Sequence, residues 1–153
     1  MKISKYFSYG EVIKSAKAKL LGIDNTPDGI IIEKIQYFAI NTVDALREIF
    51  GAFSPSSWYR CPELNTAVNG SKNSTHMTGE AIDFNINGMT VKQVMLKILE
   101  HGITFDQLID EYGNWTHISK KRDGVNRNEI LRYRRINGET VTTKLHYVNG
   151  ELI

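Results

Sequence analysis

The sequence predicts an α+β fold in which N-terminal helices pack on a small, mainly antiparallel sheet. Three observations carry this expectation. Apolar residues recur at helical spacing in the front third of the chain, and short alternating segments fill the back half. Between two of those segments stands Asn137-Gly138, a pair that favours the tight turn of a hairpin.

Taken in order, Ser8 to Leu21 reads as one helix. Ser8 can cap it, Glu11 stands three residues on as in a capping box, and Gly22 ends it. In the following GIDNTPDG, Asn25, Pro27, Asp28 and Gly29 each favour a turn for a different backbone reason. A second helix runs from about Gly29 to Phe50, with Ile31, Ile35, Phe38, Val43, Leu46 and Ile49 forming one buried stripe. Gly51 stops it, and Phe53 to Trp58 is extended, Pro55 favouring an edge or a strand start. Tyr59 to Gly79 is polar and reads as irregular.

Alternation resumes in EAIDFNI. Ile82, Phe84 and Ile86 share one strand face, so Asp83 points away from the apolar side. A third helix spans about Thr90 to Glu100 and closes at His101-Gly102, where an imidazole suits the helix dipole. Phe105 to Asp110 and Asn114 to Ser119 read as strands around Tyr112-Gly113, with Trp115, His117 and Ser119 on one face. EILRYRRINGETVTTKLHYV, from Glu129 to Val148, reads as a terminal hairpin.

Composition bounds the function. With 153 residues, 41% hydrophobic and 24% charged, and with no repeat or linker, the chain is expected to fold as one domain, 1–153. Cys61 is the only cysteine and reads as a small packed residue, so any metal must be held by His, Asp or Glu. A net charge of +2 is too weak to argue for nucleic acid. Lys120, Lys121, Arg122 and Arg132, Arg134, Arg135 read as solvated surface with a mild attraction to anionic polymers. No apolar run is long enough to span a membrane, and the first residues lack the apolar core of a signal peptide, so synthesis in the cytoplasm without a leader is expected.

Four histidines raise the question of a metal. His76 precedes Asp83 by an odd spacing that a regular strand would place on opposite faces, but Gly79 between them permits a bend. His117 follows on a strand face with Trp115 beside it as an apolar wall. Two imidazoles and one carboxylate leave a tetrahedral zinc with one open position, the catalytic arrangement. The same residues also serve as hydrogen-bonded turn residues, and spacing leaves both readings open.

The run WYRCPELNTAVNGSKNSTHMTGEAID, from Trp58 to Asp83, together with NWTHIS at Asn114 to Ser119, closely resembles the D-alanyl-D-alanine carboxypeptidase family of zinc peptidases. That family includes phage endolysin-type peptidases and has the Hedgehog/DD-peptidase fold. Its Tyr-Arg, Pro-x-Leu-Asn, Gly-Ser, Ser-x-His-x-x-Gly-x-Ala-x-Asp and later Trp-x-His elements all occur here in order. GIDNTP and LREIFG extend the likeness to roughly residues 6 to 119, whereas the terminal hairpin matches less distinctively.

The resemblance implies one zinc ion held by His76, Asp83 and His117. It further implies Glu111 as general base, with Asp110 as the alternative, Arg60 on a substrate carboxylate or developing oxyanion, and Ser74 on the substrate. Asn65 and Gly70-Ser71 are expected to shape the loop that presents His76, and Trp58 and Tyr59 to pack or wall the cleft; His146 receives no role. The implied substrate is a peptidoglycan stem peptide, cut by a carboxypeptidase or endopeptidase that is expected to be monomeric, with neither nucleic acid nor membrane as partner. Action on cell wall without a leader suits a phage or prophage origin. Two rivals remain: a non-catalytic zinc module like the related Hedgehog signalling domain, and a non-haem iron oxygenase, whose usual His-x-Asp spacing differs from that of His76 and Asp83.

Overall fold

Capping chemistry sets most of the helix ends in the computed structural model, which describes residues 1–153. Ser8 caps α1 (Tyr9–Ile13) through the expected box: Glu11 N–H reaches the Ser8 hydroxyl, and the Glu11 carboxylate accepts the Ser8 N–H at 2.8 Å. The helix does not continue to Leu21. Lys14 turns extended, and Ser15 caps a separate helix, α2 (Ala16–Leu21), by accepting the Ala18 N–H at 3.1 Å. A serine hydroxyl competes for backbone donors, and here it divides the helix that the sequence predicts as one.

The second helix matches its expected span. It comprises α3 (Gly29–Phe38), a π turn over Ala39–Val43 and α4 (Asp44–Phe50), with Asp28 as cap and Gly51 at positive φ at the end. Ile35, Phe38, Val43 and Leu46 of its stripe are fully buried. Another difference follows: Tyr59 to Gly79 is not wholly irregular but contains α5 (Pro62–Ala67). Pro62 occupies the first helical position and the Cys61 thiol accepts the Leu64 N–H at 3.4 Å, a cap outside the usual Ser, Thr, Asp and Asn set.

The main sheet has the order β1-β3-β2-β4-β5. Its strands are β1 (Ala81–Phe84), β2 (Gln107–Glu111), β3 (Trp115–Ser119), β4 (Glu129–Ile136) and β5 (Glu139–Leu145). All pairs are antiparallel except β2 with β4. The exception has an electrostatic cause. Asp106, just before β2, accepts the Arg127 backbone N–H at 2.8 Å and its guanidinium at 3.1 and 2.7 Å, and Glu129 N–H binds the Asp106 carbonyl. This clamp returns the chain to the start of β2, so β4 must run alongside it in the same direction.

Asn137-Gly138 makes the predicted two-residue turn, both residues left-handed. The terminal hairpin ends at Leu145, short of the expected Val148, and Tyr147–Val148 instead opens a further small hairpin, β6 (Tyr147–Val148) and β7 (Glu151–Leu152), that turns on Asn149-Gly150. On one sheet face Ile82, Phe84, Leu108 and Ile118 pack under Val94, Met95 and Ile98 of α6 (Val91–Glu100), which starts at the Thr90 capping box. The opposite face carries Asp83, His117 and Glu111.

Most of the basic residues in the two runs are paired with acids, Lys120 and Arg135 being the exceptions. Arg122 pairs with Glu33 and Asp123, Lys121 lies 3.7 Å from Asp106, and Arg134 binds both Asp110 oxygens at 2.9 Å. Burial pushes the Asp106 and Asp110 carboxyls up, but hydrogen bonds from Arg127 and Arg134 outweigh it and hold both below their ordinary 3.8. A depressed folded-state value stabilises the fold above pH 3.8 and is lost as pH falls below it. Thermal melts between about pH 5 and pH 3 should therefore show Tm falling with acid, and Asp106→Asn should flatten that slope while lowering Tm at neutral pH. An unchanged slope would remove Asp106 from the account.

Candidate metal centre

Register brings the first two residues of the centre together. Asp83 on β1 stands directly opposite His117 on β3, so both project from the same sheet face. His76 arrives from a 3₁₀ turn, Thr75–Thr78, capped by Ser74, whose hydroxyl accepts the His76 N–H at 3.3 Å. Gly79 ends that turn at φ +72°, and its N–H binds the His76 carbonyl at 3.1 Å before the chain enters β1. This is the bend anticipated at Gly79.

Trp58 fixes the turn from beneath. Its carbonyl lies 2.6 Å from His76 Nδ1, and its indole N–H donates to the Gly79 carbonyl at 2.9 Å. Being fully buried, Trp58 is a support for His76 and not a cleft wall. A carbonyl can only accept, so Nδ1 carries the proton and Nε2 keeps a lone pair.

That lone pair provides the test of metal fit. His76 Nε2 is buried with no hydrogen-bond partner, and its neighbour at 3.3 Å is Asp83 Oδ1, another acceptor. His117 Nδ1 lies 2.9 Å from the same oxygen. One ligand atom from each of the three residues falls within 4.8 Å of the others. Burial lowers the His76 pKa, keeping the imidazole neutral; burial pushes the Asp83 carboxyl up, but the hydrogen bond with His117 Nδ1 helps to hold it below the ordinary carboxylate range. Neutral nitrogen donors and an anionic oxygen converging around an unsatisfied lone pair are what a divalent cation requires.

The two carboxylates considered for the base take opposite faces of β2. Glu111 faces the centre, its Oε1 3.5 Å from His117 Nδ1, and burial, with the charge of Asp83, raises its pKa above the ordinary 4.5. Asp110 faces away. Arg134 binds both its oxygens and Gly113 N–H adds a third bond at 2.8 Å, so Asp110 anchors β4 to the hairpin loop and has no access to the centre.

Arg60 also meets the centre, in a manner the sequence did not show. Its Nη2 binds Asp83 Oδ2 at 3.1 Å and its Nε binds Ser57 Oγ at 3.0 Å, leaving Nη1 without a partner in the chain. Ser74 lines the same cleft, a cavity of about 720 Å³ that extends from Arg60 past His76 and Glu111 to Tyr133 on β4. Asn65 holds the Ser71 carbonyl at 2.9 Å, and a side chain at Gly70 would collide with Asn65, consistent with their expected role in shaping the loop. His101 caps its helix through Lys97 O, and His146 joins the Ile153 backbone; neither approaches the centre.

Sequence reasoning gave Asn25 only a turn. The structure buries it and spreads its amide over three backbone groups: the Ile13 and Tyr59 carbonyls at 3.0 Å, and the Cys61 N–H at 2.7 Å. Two of these flank Arg60. Asn25→Ala should cost about 2–4 kcal/mol, since it strands buried backbone groups; a urea melt within 0.5 kcal/mol of wild type, roughly the error of such a comparison, would refute the clamp. The signal available in sequence was only its place in a family-like GIDNTP phrase.

No curated protein matches the chain in a direct comparison. A family model does: the one described as Peptidase M15 matches residues 5–119, a span running from ahead of α1 to the end of β3 and containing every residue gathered around Asp83. The chain thus belongs to the Peptidase M15 family, the zinc peptidases of D-alanyl-D-alanine carboxypeptidase type.

Proposed function

We propose that this chain hydrolyses a peptide bond in the stem peptides of peptidoglycan, as a D-alanyl-D-alanine carboxypeptidase or a related cell-wall endopeptidase. His76, Asp83 and His117 would hold the zinc. The observation that carries the reading is Glu111, a half-buried carboxylate without a Lys or Arg partner, 3.5 Å from His117 Nδ1. A non-catalytic zinc module has no need of such a group.

When bound, zinc polarises a carbonyl and makes water nucleophilic near neutral pH. Glu111 takes a proton from the attacking water as the carbon–oxygen bond forms, then delivers it to the amine nitrogen as the carbon–nitrogen bond breaks. Its raised pKa suits both directions of transfer better than an ordinary carboxylate would. Arg60 is held by Asp83 and Ser57 so that Nη1 can receive negative charge from the substrate. Ser74 accepts the His76 N–H and retains its own proton to donate to a peptide carbonyl.

Purified peptidoglycan incubated with the zinc-loaded protein should release fragments identifiable by mass spectrometry. Single D-alanine indicates the carboxypeptidase and longer pieces the endopeptidase. A chelator should stop release and added zinc restore it. No release by protein carrying a full complement of zinc would sink the proposal.

A further inference from the structure

The break between α1 and α2 has a spatial result. It lays Lys14, Ser15, Ala16 and Lys17 along a second cavity, of about 280 Å³, whose other walls are the Ser56–Arg60 segment and α5. Arg60 lines both this cavity and the metal cleft, with its guanidinium 3.1 Å from Asp83. Val68 lines both as well, so the two spaces are neighbours that share Arg60 and Val68.

Their charges differ. The metal cleft sets Asp83 and Glu111 among Arg60, Arg127 and Arg135, whereas the second cavity has Lys14, Lys17 and Arg60 among its lining residues and no carboxylate. Neither lysine forms an ion pair with any acid of the chain, unlike Lys121 and Arg122, Arg127, Arg132 and Arg134. The Ser57 hydroxyl accepts the Arg60 Nε–H and keeps its own proton as a neutral donor beside the cations, whereas the Ser56 hydroxyl is spent on the Asp83 carbonyl. A hollow with unpaired lysines and a hydroxyl donor, next to a peptide cleft, suits a carboxylate.

We propose that this cavity is a second subsite of the cleft, in which Lys14 and Lys17 receive a carboxylate of the bound peptide on the far side of Arg60 from the metal residues. The proposal rests on the peptidase reading for the identity of the ligand. Two carboxylates of a stem peptide have the right chemistry: the C-terminal one and that of its acidic residue. The first makes the cavity a terminus-binding pocket, and the second makes it an internal subsite of an endopeptidase.

Three synthetic stem pentapeptides separate these sources: one with both carboxylates free, one amidated at the C-terminus and one amidated at the acidic residue. Calorimetric binding to zinc-loaded Glu111→Gln protein reads the subsite without turnover. One of the amidations should weaken binding roughly three- to tenfold, the effect of two exposed ion pairs, and adding Lys14→Gln and Lys17→Gln should erase that difference. Both lysines are exposed, so folding is not at stake. Equal binding of all three peptides, or a preference that the double lysine substitution leaves undiminished, overturns the subsite. A carboxylate preference in a wild-type protein that cleaves none of the peptides overturns the peptidase reading and leaves the subsite standing.

Discussion

Glu111→Gln is expected to lower kcat by about 10²- to 10⁴-fold while zinc content and Tm stay near wild type. The amide keeps the shape of the side chain but cannot take a proton from water. Because His76, Asp83 and His117 remain, metal binding should survive, which separates this loss from that of a ligand variant such as His117→Ala. Asp110→Asn supplies the contrast. Its carboxylate serves Arg134 and Gly113, so the expected result is a lower Tm with kcat largely preserved. Steady-state kinetics with zinc measured on the same samples decides the matter. More than a tenth of wild-type kcat in a fully zinc-loaded Glu111→Gln would end the general-base assignment, and Asp110 could not replace it.

Gly79→Ala is expected to destabilise the fold by about 2–5 kcal/mol and to weaken zinc binding at the same time. Two costs add. A side chain at φ +72° costs about 1–2 kcal/mol in the left-handed region. The new methyl would also fall well inside contact distance of Ile35, which is fully buried in α3 and cannot retreat, adding about 1–3 kcal/mol of overpacking. Relief requires the 3₁₀ turn to move, and His76 moves with it. Urea melts and zinc titration should both register the change. If the clash is real, Ile35→Ala and Gly79→Ala together should cost less than the sum of the two alone; strict additivity would contradict it.

Local chemistry explains which features could be read before the structure. The Ser8 capping box, the Thr90 cap, the Asn137-Gly138 turn and the stripe from Ile35 to Leu46 depend on residues a few positions apart. The family-like motifs likewise pointed to His76, Asp83 and His117, and the structure gathers those three. Where local signals compete, reading failed. Ser15 lies within helical periodicity but acts as a cap, and Cys61 caps α5 with a thiol that no propensity scale favours.

The sequence by itself determined the long second helix, the helix after Thr90 and the Asn137-Gly138 hairpin, the bend at Gly79 and the identity of the three residues that converge beside it. Tertiary structure alone decided which of Glu111 and Asp110 faces the centre. The β2–β3 loop holds three residues, Tyr112, Gly113 and Asn114, which pairs Glu111 with Trp115 on the His117 face. A loop one residue shorter would have turned Asp110 to that face instead, because side chains alternate with a period of two. The parallel β2–β4 pair, the Asn25 clamp and the Arg60–Asp83 contact join residues more than twenty positions apart. Such contacts depend on where the packed core carries each strand, and no local pattern encodes that.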